Sequence, residues 1–410
     1  MEYGLIGEKL GHSFSKEIHT KYFGLDYVLK ELPPEEVGDF LTKKDFKAIN
    51  VTIPYKQTVI PYLDSISDIA KKIGAVNTIV NNGGKLEGYN TDFLGLKANI
   101  EKLGLELKNK NVMILGGGAT SKTAFAVAEE CGAKSIVRVS RKDSADTVTY
   151  DMARSMNYTQ IIINTTPVGM YPNIDGCLVK INDFPNLEGV FDVVYNPLRS
   201  SLVAAAQKRG IKASGGLYML VGQAVFAAEL FTNTRIPKEK TKSICDEIYK
   251  SKENVVLVGM PGSGKTTVGR LLAKELKRDF IDTDEEIEKL HGNITDIFNS
   301  VGESGFRSIE SEIIKVVAAQ QGKIIATGGG AVLNPKNIDL LRRNGKIYFI
   351  DRPLEKIEAT FDRPLSSNKN ELEKRYNERY EIYCNCCDKR ITQTTTPFAV
   401  MDSIKEDFLG

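Results

Sequence analysis

Short apolar runs recur along this chain, each closing on glycine, serine, threonine or asparagine and each followed by a mixed apolar and charged stretch. In residues 1–100 the runs YGLIG, YVLKEL and FKAINVTIP alternate with helix-like segments such as KEIHTKYFGL, the pattern of an α/β unit. NVMILGGG opens a second series, continued by SIVRVS, QIIINTTP and GVFDVVY, which reads as β–α repeats of a doubly wound sheet. SGGLYMLVGQAVFAAELF predicts a helix of small and apolar residues. The charged segment IPKEKTKSICDEIYKSKEN then marks a boundary near residue 250. Beyond it VVLVG, DFIDTD, KIIATGGG and KIYFID predict a further parallel α/β unit. No internal repeat or low-complexity segment interrupts the pattern.

Composition narrows the classes without choosing among them. A chain of 410 residues has room for two or three domains. Its net charge of +2 argues against broad binding to nucleic acid or to a membrane surface. No run of about 18 apolar residues is present, as a membrane span would need. The start MEYGLIGEKLGHS is too polar for a signal peptide, so a cytoplasmic protein is expected. The cluster CNCC lacks a second ligand pair and a nearby histidine, which favours reduced thiols over a zinc site.

Two glycine-rich turns carry the first chemistry. In LGGGATSKTAFA, residues 115–126, Gly116, Gly117 and Gly118 follow a strand, and Ala119 and Thr120 open a helix. Such a turn lets a pyrophosphate approach the backbone at the helix N-terminus. Ser121 stands where the third glycine of the dinucleotide fingerprint would be, so that pattern is only partly met. The next strand ends in VSRKD, where Ser140, Arg141 and Lys142 replace the acidic residue that meets a free ribose hydroxyl. A guanidinium there pairs with a 2′-phosphate, so NADP is expected rather than NAD. In GMPGSGKTT the residues Gly262, Ser263, Gly264, Lys265, Thr266 and Thr267 form a P-loop for ATP. Lys265 would reach the β- and γ-phosphates and Thr266 would ligate Mg²⁺.

The segments after the P-loop begin to describe an acceptor. FIDTDEEIE sets Asp282 and Asp284 at a strand end, one carboxylate for magnesium and one for a substrate hydroxyl, or else an acidic first turn favoured by the helix dipole. Arg307 in GESGFRSIE is a candidate clamp for a carboxylate. TGGGAV, with Gly328, Gly329 and Gly330, lets backbone approach a ligand closely. Arg363 and Arg379 follow in FDRPLSS and RYEIY.

Before residue 100, Ser13, Ser15, Asn50, Thr52, Lys56, Asn77, Asn90 and Asp92 stand at the ends of apolar runs. Hydroxyls and amides of this kind suit a polyhydroxylated carboxylate, and Lys56 with Asp92 suits proton donation during carbonyl reduction. Capping and turn roles would account for several of them singly. The segments GLIGEKLGHSFSKEIH, INVTIPYKQTVIP, IGAVNTIV, GYNTDFLG, INTTPVGM, DVVYNPL and GGLYMLVGQA, in this order, resemble shikimate dehydrogenase from Tyr3 to about Leu230. The resemblance implies that Ser13, Ser15, Thr52, Asn77, Asp92 and Gln223 hold the substrate, with Tyr195 also facing it. It makes Lys56 and Asp92 the catalytic pair, puts Val193 and Gly216 along the nicotinamide, and matches Asp68 to a cofactor-side acidic position. It implies a substrate domain from residues 1–99 and about 219–248, a Rossmann domain for NADP(H) from 100–218, and a homodimer through this part. GGGATSK and SRK depart from the commoner GAGGASR and NRT but keep their positive charge.

Residues 253–410 resemble shikimate kinase. By that resemblance Asp284 orients and deprotonates the acceptor hydroxyl, and Asp282 supports Mg²⁺ through water. Arg307, Arg379 and the Gly328–Gly330 backbone bind shikimate, and Arg363 comes from a lid onto ATP and the transferring phosphoryl group. No arginine lies between Arg352 and Arg363, so the family's adenine-packing arginine has no match. The expected protein is a bifunctional enzyme that reduces 3-dehydroshikimate and phosphorylates the resulting shikimate. A generic P-loop kinase fused to an unrelated reductase is the weaker enzyme reading, and quinate stays open as a second substrate. A metabolite sensor without turnover predicts loss of Lys56, Asp92, Lys265 or Asp284, and all four are present.

Overall fold

The computed structural model describes residues 1–10, 14–141, 146–357, 369–392 and 395–410. The chain divides into two compact units, Met1–Met170 with Gly176–Tyr195 and Ser200–Glu247, and Tyr171–Asp175 with Asn196–Arg199 and Ile248–Gly410. Among the described residues no helix is long and apolar enough to cross a membrane.

The first unit holds two six-stranded sheets. Strands β1 (Tyr3–Gly7), β2 (Tyr27–Glu31), β3 (Ala48–Val51), β4 (Ser65–Ile66), β5 (Thr78–Asn82) and β6 (Lys85–Tyr89) order as β2-β1-β3-β5-β6-β4. β1, β2 and β3 run parallel, whereas β5 lies antiparallel to β3 and to β6. Gly83 and Gly84 both take positive φ, which is what a two-residue hairpin turn between β5 and β6 demands. Helices α1 (Ser15–Phe23), α2 (Asp68–Ile73) and α3 (Thr91–Leu103) belong to this part of the chain.

The second sheet contains β7 (Asn111–Leu115), β8 (Ser135–Ser140), β9 (Val148–Thr149), β10 (Ile161–Asn164), β11 (Gly189–Asp192) and β12 (Lys212–Ser214), ordered β12-β11-β10-β7-β8-β9 and parallel throughout. This is the doubly wound order in which strand sequence reverses between the first and fourth strands, here β7 and β10. Helix α4 (Ala119–Glu130) follows β7, and α5 (Leu217–Thr232) follows β12. α5 crosses α3 so closely that a Cβ on Gly95 would stand 2.6 Å from the Met219 carbonyl oxygen. Only glycine permits that approach, and it brings Gln223 within about one helical turn of Asp92.

The second unit is built on one parallel sheet of β13 (Asn254–Val258), β14 (Phe280–Asp282), β15 (Ile324–Ala326), β16 (Gly345–Ile350) and β17 (Lys389–Ile391), ordered β14-β15-β13-β16-β17. Its central strand β13 is buried along its whole length, as NVVLV predicts for a sheet covered on both faces. Helices α6 (Lys265–Leu276), α7 (Thr283–His291), α8 (Ile294–Ala318) and α9 (Lys369–Cys386) complete the parts that matter here, with α8 broken at Gly302. In this sheet periodicity did not predict β17, because KRI is short and two-thirds charged.

Candidate functional site

In the first unit a cavity of about 440 Å³ gathers most of the residues expected to meet substrate. Ser15, Thr52, Lys56, Asn77, Asp92, Tyr195 and Gln223 line it, together with Asn50. Thr120, Val193 and Gly216 face the same space, so the dinucleotide turn and the hydroxylated pocket share one opening. The Lys56 ammonium donates to the Asp92 carboxylate at 2.6 Å, with both side chains less than a fifth exposed. Asp92 owes its place to the start of α3, where the Asn90 carboxamide accepts from the Phe93 amide and caps the helix. The Val76 amide donates to the Lys56 carbonyl, which ties the lysine segment to the loop that leads into β5. Burial pushes the Tyr195 phenol upward, and its ring stands edge-on to Phe14 at 5.4 Å.

Behind the pocket lies a buried polar cluster. Asn77 accepts at Oδ1 from the Thr91 amide at 2.7 Å and from Thr78 Oγ1 at 3.0 Å, and donates from Nδ2 to Thr91 Oγ1 at 3.1 Å. Asn50 donates to Thr78 Oγ1 at 3.1 Å and to the Asn77 carbonyl at 3.3 Å, and accepts from the Tyr27 hydroxyl at 2.7 Å. Tyr27, Thr78 and Thr91 in this cluster had no signal in the sequence beyond their residue types.

The glycine turn after β7 sits at the reversal between β7 and β10. Gly116 has φ 125°, and a Cβ there would stand 2.5 Å from the Thr165 hydroxyl beyond β10. In front of Gly118 there is open space, and α4 begins at Ala119. The Gly116 amide donates to the Val139 carbonyl, and Gly117 lies against Ser140, so the end of β8 and exposed Arg141 flank the turn. These features fit a dinucleotide phosphate group. Ser13 and Lys142 lie outside the described residues. Asp68, which the resemblance matches to the cofactor side, is exposed in the first turn of α2 and lines a hollow with Tyr89 and Arg235 rather than the pocket that Thr120 and Val193 share. The α2 N-terminus draws it outward, since an acidic first-turn residue gains there from the helix dipole and from water.

In the second unit the loop Gly259–Gly264 wraps buried Lys265, whose ammonium donates to the Gly259 and Met260 carbonyls at 2.9 Å each. Ser263 is also buried, and Thr267 lies in the first turn of α6. The Thr266 hydroxyl donates to Asp282 Oδ2 at 2.7 Å, and Asp282 Oδ1 accepts from the Asp284 amide at 3.0 Å. Asp282 is thus both the end of β14 and the N-cap of α7, and the Thr266–Asp282 pair fits a divalent cation beside the P-loop.

Gly328, Gly329 and Gly330 pass between the other candidate groups. A Cβ on Gly328 would meet Asp284 Oδ1 at 2.5 Å, one on Gly329 would meet the Pro261 ring at 2.7 Å, and one on Gly330 would meet the Arg307 guanidinium at 2.2 Å. Arg307 is held by Glu310 at 2.8 Å and by Glu303 at 3.3 Å. Arg379 donates to the Gly329 carbonyl, as does the Tyr383 hydroxyl. Glu310 is 1% exposed, and burial pushes its carboxyl upward against the pull of Arg307 and Arg379. Its place three residues after Arg307 on one helix was the signal for this pairing, and Tyr383 had none. Arg363 lies outside the described residues.

Together these sites define an α/β oxidoreductase with a dinucleotide-binding sheet, joined in one chain to a P-loop phosphotransferase. The chain belongs to the shikimate dehydrogenase family: over 264 residues it is 38% identical to the NADP(+) shikimate dehydrogenase of Clostridium perfringens, covering 60% of this chain and 97% of that one. It is 39% identical to the enzyme of Halothermothrix orenii, covering 57% of this chain and 91% of that one. The family model for the shikimate dehydrogenase substrate binding domain matches residues 5–79, and the model for shikimate kinase matches residues 261–408. Among solved structures it resembles a chorismate mutase/shikimate 5-dehydrogenase fusion protein from Clostridium acetobutylicum (34% identity, TM-score 0.57, 60% of this chain and 96% of that one). It also resembles the Thermus thermophilus shikimate 5-dehydrogenase in complex with NADP(H) and shikimate (25% identity, TM-score 0.54, 60% and 99%).

Proposed function

We propose that this chain is a bifunctional enzyme of the shikimate pathway. Its first unit reduces 3-dehydroshikimate to shikimate with NADPH, and its second phosphorylates shikimate to shikimate 3-phosphate with MgATP. The observation that carries the reading is the Lys56–Asp92 pair, 2.6 Å apart in a pocket that also reaches the dinucleotide turn.

NADPH supplies the hydride when bound. The protein's part is to hold the carbonyl oxygen at Lys56, whose ammonium protonates the developing alkoxide while Asp92 compensates the lysine charge. Ser13, Ser15, Thr52, Asn77, Tyr195 and Gln223 position the ring, and Arg141 and Lys142 take the 2′-phosphate. In the second unit Lys265 and the loop amides would neutralise phosphate charge, Thr266 would hold Mg²⁺, and Asp282 would support it through water. Asp284 takes the proton of the acceptor hydroxyl, Arg307 and Arg379 clamp the carboxylate, and Arg363 would stabilise the transferring phosphoryl group. The reading divides the chain near residue 250, sets the enzyme in the cytoplasm, and pairs two copies through the dehydrogenase part, which sedimentation over a range of concentrations tests.

The functional test assays both half-reactions on one preparation of the full chain. Asp284→Asn abolishes phosphoryl transfer and leaves NADPH oxidation by 3-dehydroshikimate intact. Loss of both activities overturns independent sites, and an absorbance at the NADPH band that never falls overturns the dehydrogenase reading.

A further inference from the structure

The amides in the buried cluster behind the dehydrogenase pocket have their orientation fixed by backbone groups that cannot change role. The Thr91 N–H is a donor only, so the Asn77 atom 2.7 Å from it is the carbonyl oxygen Oδ1. The Asn77 main-chain carbonyl is an acceptor only, so the Asn50 atom that meets it is the nitrogen Nδ2. Asn50 therefore turns its oxygen toward Tyr27, and the Tyr27 hydroxyl has to donate. The order then runs one way: Tyr27 to Asn50 Oδ1, Asn50 Nδ2 to Thr78 Oγ1, Thr78 to Asn77 Oδ1, and Asn77 Nδ2 to Thr91 Oγ1.

The result is felt at Asn77. Its oxygen accepts from the Thr91 amide, from Thr78 and from the Thr91 hydroxyl at 3.2 Å, all behind the pocket. The second hydrogen on its nitrogen is the polar group it can offer to the cavity it lines. Asn50, Asn77, Thr78 and Thr91 are each 4% exposed or less, so no bulk water competes for these bonds. Tyr27 is 1% exposed and lies outside the pocket lining.

We infer that Tyr27 is a positioning residue of the dehydrogenase: the Thr91 amide sets which way Asn77 is turned, and Tyr27, through Asn50 and Thr78, holds it at its place, so that its nitrogen selects a ligand oxygen able to accept there. The inference rests on the reading that Asn77 contacts substrate. Tyr27→Phe keeps the ring and removes the one hydrogen that starts the order. Asn50 Oδ1 then loses the Tyr27 donor inside a buried cluster, so Asn50 is held from one side only and its bond to Thr78 slackens.

The test uses the full chain and measures KM for shikimate and for NADP⁺ in the oxidative direction, with kinase turnover as a second readout from the same sample. The expected result is that Tyr27→Phe raises KM for shikimate about tenfold, the worth of one hydrogen bond in a buried setting, with KM for NADP⁺ and kinase turnover unchanged. Asn77→Ala raises the same KM at least as much, and the double variant is no worse than Asn77→Ala alone, as coupled residues require. If Asn77→Ala raises KM and Tyr27→Phe does not, the inference falls while the substrate reading of Asn77 stands. Additive losses in the double variant also overturn it, because Tyr27 then acts apart from Asn77, through packing or through its bond with Ser15. If Asn77→Ala leaves KM unchanged, the substrate reading of Asn77 itself fails and takes the inference with it.

Discussion

Replacing Gly330 with alanine tests the kinase site at its tightest point. The new Cβ would stand 2.2 Å from Arg307 Nη1 and 2.3 Å from Cζ and Nη2. Ordinary carbon contacts begin near 3.4 Å, so either the guanidinium or the glycine backbone has to move by about 1 Å. The guanidinium does not yield freely, because Glu310 at 2.8 Å and Glu303 at 3.3 Å hold it from two sides. Pulling it from Glu310 would strand a carboxylate that is 1% exposed, and breaking a buried pair in this way costs roughly 3–5 kcal/mol. If the backbone yields instead, Gly328 moves with it and disturbs Asp284. A displacement of about 1 Å in a binding clamp is enough for a loss on the order of 100-fold.

The assay follows ADP release with shikimate as the varied substrate, and NADPH oxidation in the same sample reports on the other unit. Gly330→Ala is expected to lower kcat/KM for shikimate by about 10- to 100-fold, with KM for ATP nearly unchanged and the dehydrogenase untouched. If Arg307 is what moves, the loss falls on KM. If the backbone moves and Asp284 is displaced, it falls on kcat. A kcat/KM within threefold of the parent would refute the claim that Arg307 is pinned against this backbone and clamps the substrate there.

Two further predictions concern the first unit. Arg141→Ala removes the exposed guanidinium at the end of β8, and the preference for NADPH over NADH should fall about tenfold or more; an unchanged ratio would remove Arg141 from 2′-phosphate recognition. His19, buried and stacked on Tyr27 at 4.4 Å, is held down to about 3 by desolvation, from 6.5 when exposed. Its neutral form belongs to the fold, so its contribution is complete above pH 6.5 and is lost as the pH falls toward 3; at pH 5 the loss is about 2 kcal/mol, or 1.5 pH units at ~1.36 each. Asp192, pushed up to about 6 by burial, works in the opposite direction, gaining a proton in the fold as the pH falls through that value. The difference between parent and His19→Phe in denaturant unfolding at pH 7 and pH 5 therefore isolates the histidine, and an equal pH response in the two proteins would refute it.

The parts legible in the sequence are those where a parallel strand runs out of apolar residues. Thr52 follows β3, the glycine turn follows β7, Val193 follows β11, the P-loop follows β13, Asp282 ends β14 and Gly328 comes just after β15. Ligands of open parallel sheets sit at the carboxyl ends of the strands, so a polar or glycine-rich residue after an apolar run is a sound guess. Asp68 rests on the resemblance instead: it starts a helix after the two-residue strand β4, with no apolar run ahead of it to mark it. Asn77 breaks the rule outright, since it stands before a strand rather than after one. The register explains it: β5 is antiparallel to β3 with Asn50 opposite Thr78, so the beginning of β5 lies at the same edge of the sheet as the end of β3. The glycine pair in NTIVNNGGKLEGY marks the hairpin between β5 and β6, but it does not report that β5 runs against β3. The hairpin then carries the chain back to Asn90, and α3 starts with Asp92 facing Lys56. The resemblance named Lys56 and Asp92 as a pair, but their meeting was not in the local pattern: sequence patterns place residues along an element, and only the pairing of β3 with β5 decides which ends meet.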